Sequence, residues 1–223
     1  MRAIVRPTKM LLLSPIVFLM SLYMALAYGV LYLLFTTFTF VFTETYGFSD
    51  SNVGLTYIAL GIGCMIGLGV VGFASDRILK HLAAKNGGVM RPEYRLPPVI
   101  IFGVAIPIGL FIYGWTAQYK IQWAVPLFGT MLVGVGLIAA FMSVQTYMVD
   151  AFTIHAASAI AANTVLRSLF GAFLPLCGLK MYAALGLGWG NSLLGFVSLA
   201  LCAVPPFFYI YGERMRTRFQ VSL

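Results

Sequence analysis

The chain has 223 residues with six acidic and fourteen basic side chains, and the basic residue with the sharpest chemical consequence is Arg167. It stands about 11 residues into an apolar run beginning near residue 156. At 1.5 Å per residue that is about 16 Å along a helix, close to the middle of a bilayer core about 30 Å thick. A charge at that depth is costly unless it is paired or faces a water-filled cavity. Asn163, Arg167, Gly171 and Pro175 recur at i+4 spacing and so share one helical face. Two readings stand for Arg167. It faces a cavity or interface, or it fixes packing by bonding helix carbonyls or by pairing with Asp150 at the end of the preceding apolar run.

Tyr28, Tyr32 and Thr36 also lie at i+4 spacing, with Tyr23, Phe35 and Thr39 nearby. Aromatic faces with hydroxyl tips suit flat or cationic organic solutes, because the ring quadrupole attracts a desolvated cation by about 0.5–2 kcal/mol. They suit helix packing equally. Ser143, Gln145 and Thr146 are the corresponding polar candidates on a later run. Asp150 as a proton carrier would require burial, and neighbouring Thr153 and His155 point instead to a hydrated helix end where structural pairing is the expected role. Glu44 reads as an external gate or as a solvated interfacial carboxylate. Neither His81 nor His155 has metal-ligand spacing. Cys64, Cys177 and Cys202 form no C-x-x-C pair, so no metal site, disulfide or cofactor is expected. An enzyme would call for paired intramembrane carboxylates, a His cluster or a Ser/Lys dyad, and none is visible; a non-enzyme is expected.

The elements that position these residues follow from composition. Hydrophobic residues make up 61% of the chain and charged ones 9%, against roughly 25% charged in a soluble domain. The exterior must therefore face lipid. A span needs about 20 apolar residues, and six runs qualify: 14–43, 52–74, 97–117, 123–149, 156–179 and 188–211. These predict an all-α membrane protein of six transmembrane helices, with a segment 1–13 before them, a loop 75–96 and a tail 212–223. The runs do not alternate as barrel strands would. Ala25-Leu26-Ala27 looks like a signal cleavage site, but the apolar run continues to Phe42, so a retained span is expected.

Lys and Arg gather at one end: Arg2, Arg6 and Lys9, then Arg77, Lys80, Lys85, Arg91 and Arg95, then Arg214, Arg216 and Arg218. The alternate connections hold Lys120 and Lys180. The positive-inside rule places both termini in the cytoplasm. The net charge of +8 is thus topological, and no nucleic-acid partner is expected. Gly61, Gly63, Gly67, Gly69 and Gly72 crowd the second run. Gly63-x-x-x-Gly67 permits close helix approach.

After the second run the chain reads Gly72-Phe73-Ala74-Ser75-Asp76-Arg77-Ile78-Leu79-Lys80. An acid followed at once by bases can latch neighbouring helices at the cytoplasmic face. The pattern Gly72-x-x-x-Asp76-Arg77-x-x-Lys80 resembles the loop motif of the major facilitator superfamily, in the copy that follows the eighth of twelve spans. Leu79 departs from it, since the motif often has Gly there. The stretches Arg91-Pro92-Glu93-Tyr94-Arg95-Leu96-Pro97-Pro98, Gln145-Thr146-Tyr147-Met148-Val149-Asp150-Ala151-Phe152 and Ala161-Ala162-Asn163-Thr164-Val165-Leu166-Arg167-Ser168 resemble fungal drug:proton antiporters. So do Trp189-Gly190-Asn191-Ser192 and the tail Tyr211-Gly212-Glu213-Arg214.

The resemblance implies spans seven to twelve, the C-terminal half of a twelve-span exporter of drugs or polyamines in the plasma membrane. Met1 then falls where the central cytoplasmic loop is expected. It also implies that the first and fourth spans line a cavity, which makes Tyr28, Tyr32, Thr36 and Gln145 candidates for its wall, beside the cavity-facing alternative for Asn163 and Arg167 on the fifth span. The second and fifth would face another half, leaving the smooth glycine face bare or in need of another partner. Protons and a small-molecule substrate are the expected partners, with a separate N-terminal half or a homodimer completing the assembly. In a homodimer, opposing Arg167 residues would repel without counter-ions. The alternative is a truncated, non-transporting membrane protein that needs such a partner.

Overall fold

A computed structural model describes residues 2–218. Met1, residues 219–223 and the side chains of Arg2 and Arg218, which entered the charge count, lie outside the described residues. Apolar composition and the absence of competing water drive every long segment to satisfy its backbone internally, and the result is helical throughout: α1 (Arg2–Leu13), α2 (Pro15–Tyr46), α3 (Asp50–Lys85), α4 (Pro97–Phe102), α5 (Ala105–Gln118), α6 (Ala124–Phe152), α7 (Ala156–Leu201) and α8 (Val204–Arg218).

The boundaries have local causes. Ser14 caps α2 by accepting the Val17 amide at 3.4 Å, and Pro15 occupies the first turn, where its missing N–H is not needed. Gly47 closes the same helix in the left-handed conformation, at φ 68. Ala25, Leu26 and Ala27 are buried inside this unbroken helix. Pro205 and Pro206 sit in the first turn of α8 for the same reason as Pro15.

Several expected bounds shift. The run at 97–117 is two helices, broken at Gly103 and Val104. α7 runs through the expected gap between the last two spans and is interrupted only by Gly186, whose φ of 75 and ψ of 172 are accessible to glycine alone. Helix α3 continues to Lys85, so the expected loop 75–96 is helical over its first part. The tail is helical to Arg218 and the leading segment forms α1. An apolar helical stretch Ala124–Thr217 of 94 residues would be about 140 Å long if straight. Turns at 153–155 and Gly186 fold it back on itself.

Helix α2 is the axis of the bundle. Its apolar stretch is 67% buried, whereas that of α3 is 22% buried. One core cluster joins Phe38, Phe42, Leu110, Tyr113 and Val133; the other joins Met20, Met24, Val144, Tyr147 and Phe208. The close approach that Gly63-x-x-x-Gly67 permits is made, and its partner is α6. A methyl at Gly63 would strike the Met131 carbonyl, and one at Gly67 would lie 2.9 Å from the Val135 carbonyl. The smooth face is therefore filled by α6, whose backbone it admits. The bare face of α3 is the other one, with Leu55, Ile58, Ile62, Met65 and Phe73 exposed.

Candidate functional site

Tyr28 and Tyr32 lie one turn apart on α2, with ring centroids 4.9 Å apart and hydroxyls 3.3 Å apart. The ladder continues from Tyr32 to Phe35 at 6.1 Å and from Phe35 to Tyr57 of α3 at 5.6 Å. Tyr57 donates its hydroxyl to the Phe35 carbonyl at 2.8 Å, which ties α3 to α2 and fixes the last ring. Tyr32 and Phe35 are exposed at 39% and 37%, so the ladder is an open face rather than core. Thr36 is exposed there too, but its hydroxyl bonds the Leu33 carbonyl of its own helix at 3.0 Å. Tyr57 escaped the sequence reading because a single aromatic in a glycine-rich run carries no period.

Arg167 closes one end of the ladder. Its guanidinium carbon lies 5.0 Å from the Tyr28 ring centroid and 5.3 Å from that of Phe141 on α6. Gly171 makes room for this: a methyl there would meet the Tyr28 ring at 3.1 Å. Asn163, one turn before Arg167, is fully buried, and neither of its amide atoms has a partner. Gln145, one turn beyond Phe141, has a buried and unpartnered Oε1. Thr146 bonds the Met142 carbonyl at 2.8 Å, and Ser143 is buried with its hydroxyl unpartnered.

The pairing of Asp150 with Arg167 is corrected. Asp150 accepts from Arg95 Nε at 3.0 Å, at the end of α6, while Arg167 is held by rings. The reason is axial separation: Asp150 ends α6, whereas Arg167 lies about 16 Å inside α7.

Asp76 accepts from Arg95 Nη1 at 2.6 Å, so Arg95 latches the ends of α3 and α6 together from the intervening 92–95 turn. Burial alone would lower the Arg95 pKa, but its hydrogen bonds to Asp150 and Asp76 and their charges outweigh that and raise it. The rest of the motif faces outward. Gly72 has open space around it, Arg77 lies over the Phe73 ring at 5.6 Å, and Lys80 is exposed. Leu79 is 9% exposed and lines a cleft of ≈ 740 Å³ with Met90, Arg91, Arg95 and Asp150. A helix here, not a turn, explains why Gly is not required at that position.

Glu93 carries no signal in the sequence beyond its place in a motif, yet among the described residues it is the most buried carboxylate, at 3% exposed. Arg216 Nε lies 3.7 Å from its Oε1, and Arg91 pairs with Glu213 at 2.6 Å alongside. These contacts fasten α8 to the turn before α4. No spacing could reveal them, since more than a hundred residues separate the partners. Glu44 is exposed at the opposite end. Among the described residues no three of His, Cys, Asp and Glu converge as a metal site would require.

Comparison with known proteins adds to this geometry. The chain is 62% identical to the MFS-type transporter penM of Penicillium rubens over 99% of its length and 44% of that protein. It is 56% identical to the efflux pump radE of Floropilus chiversii, covering 100% of this chain and 42% of that one. It is likewise 56% identical to the MFS transporter cpaT of Aspergillus oryzae, covering 100% and 45%. The chain thus spans less than half the length of these curated relatives. No solved structure matches it. The family model of the Major Facilitator Superfamily matches residues 2–175, and with the relatives and the all-helical apolar bundle this establishes that the chain is a membrane protein of the Major Facilitator Superfamily.

Proposed function

We propose that this chain is the C-terminal lobe of a proton-driven antiporter that exports small organic compounds across a fungal plasma membrane, with both termini cytoplasmic. The observation that carries the reading is the ladder Tyr28–Tyr32–Phe35–Tyr57 ending at Arg167, an aromatic face whose middle rings, Tyr32 and Phe35, stand exposed. Thr36 stands exposed on the same helix, while Asn163 and the Gln145 Oε1 are buried. In transporters of inverted-repeat architecture the solute binds near the midplane between two lobes, and the exposed apolar side of α3 offers a seat for a second lobe. The Asp76–Arg95–Asp150 latch would hold the cytoplasmic ends of α3 and α6 closed in one cavity orientation and release them in the other.

The test is efflux from proteoliposomes under an imposed pH gradient, using a fluorescent aromatic dye. The chain is reconstituted alone and together with the N-terminal half of the Penicillium rubens relative. Gradient-dependent efflux is expected from the pair and abolished by a protonophore. Efflux from the chain alone would overturn the two-lobe reading, and efflux indifferent to the gradient would overturn proton coupling.

A further inference from the structure

Among the described residues Arg167 is the one formal charge bordering the aromatic face, and none of the described carboxylates reaches it. Asp76 and Asp150 pair with Arg95, Glu93 with Arg216, and Glu213 with Arg91. Glu44 stands 16 residues beyond Tyr28 on the same helix, about 24 Å away, and Asp50 begins α3 at that same far end. The rings of Tyr28 and Phe141 stabilise the guanidinium only in part. Its Nε has no hydrogen-bond partner, and one turn away the buried amide of Asn163 has none at either atom. Gln145 adds a third unpartnered group, from α6. A half-buried guanidinium with no carboxylate partner is expensive, so its charge is compensated only when something supplies a negative group whose oxygen it can donate to.

We propose that this site takes organic anions: a flat conjugated solute whose carboxylate, sulfonate or enolate oxygen meets the Arg167 guanidinium while its ring system lies along Tyr28, Tyr32 and Phe35. The inference rests on reading this face as the transported-solute site, and it departs from the cationic class that the aromatic spacing alone suggests. A cation on the ladder would sit beside Arg167 with no carboxylate between them, in a medium that screens poorly. An anion instead gains a planar, bidentate partner.

Three isosteric probes test this: 2-naphthoate, 2-naphthylmethanol and 2-naphthylmethylammonium. Each is measured by equilibrium dialysis against the full chain in nanodiscs of zwitterionic lipid, with empty discs subtracted. The naphthoate is expected to bind about tenfold or more tightly than the ammonium probe. Arg167→Gln is expected to weaken naphthoate about tenfold and leave the alcohol unchanged, and Arg167→Lys to lose less. Equal affinity for anion and cation, or naphthoate binding indifferent to Arg167→Gln, overturns the proposal. Should Arg167→Gln fail to elute as a folded species, the wild-type contrast and Arg167→Lys decide.

Tyr32→Ala separates the two readings. If it weakens all three probes while charge makes no difference, the face is the solute site and the anion preference is wrong. If the anion preference persists and Tyr32→Ala changes nothing, the face is not the solute site. Binding of no probe overturns both. The measurement is repeated with the N-terminal half of the Penicillium rubens relative present. Persistence of the preference supports a solute anion; its disappearance would mean that an acid of the other half neutralises Arg167, and would overturn the proposal.

Discussion

Arg95 donates through Nη1 to Asp76 at 2.6 Å from a turn that begins seven residues beyond the end of α3, and its Nε donates to Asp150 at 3.0 Å. One guanidinium therefore separates two carboxylates that would otherwise face each other across the ends of α3 and α6.

Removing that guanidinium leaves like charges opposed. Arg95→Met is expected to lower stability by about 1 kcal/mol, a modest figure because Asp76 is largely solvent-exposed. Arg95→Met combined with Asp76→Asn should recover part of the loss. Because the Arg95 pKa is raised, its contribution is present below the ordinary arginine value and is lost only as pH climbs through the raised one. The difference in melting temperature between wild type and Arg95→Met in detergent should thus stay constant from about pH 6 to about pH 9. A difference that shrinks towards alkaline pH in that window contradicts the assignment.

Gly63 and Gly61 make a matched pair on α3. Gly63→Leu should abolish folding, because its side chain would occupy the space of the Met131 backbone, whereas Gly61 has nothing within 4 Å. Gly61→Ala should be neutral, or stabilising by up to about 1 kcal/mol through helix propensity. Monodispersity on size-exclusion and thermal melting read both, and equal tolerance at the two positions would disprove the α3–α6 contact.

Glu93 is buried and Arg216 is its cation. Arg216→Gln leaves a carboxylate enclosed without charge compensation and should cost on the order of 1–3 kcal/mol. Glu93→Gln in the same chain should restore most of it. Additive losses in the double variant would show that the two side chains are energetically independent.

Topology is open to a labelling test. In a chain whose Cys64, Cys177 and Cys202 are replaced by Ser, a membrane-impermeant maleimide added to intact cells should leave Asn86→Cys unlabelled and modify Lys120→Cys. The reverse pattern would invert the proposed orientation.

The ends of the helices show how far a linear reading goes. The start of α2 was legible because Ser14 and Pro15 are local signals, and the turn at Gly186 because Gly186, Gly188 and Gly190 interrupt an apolar run. The continuation of α3 through Asp76 to Lys85 was not, since a charged amphipathic helix leaving the membrane looks like a loop in hydropathy. The ladder residues Tyr28 and Tyr32 share a face by period alone, but Tyr57 joins them through a contact between different helices.

The amino-acid order by itself determined the solvent, the helical class, the sidedness of charge and the family pattern, because each is a sum over neighbours in the chain. Which carboxylate meets which cation was decided only by tertiary structure. Asp150 chose Arg95 over Arg167, and Glu93 found Arg216, because partner choice depends on the axial register and rotation of packed helices. Those are set by where glycine lets two backbones approach and by where buried rings fill the remaining space.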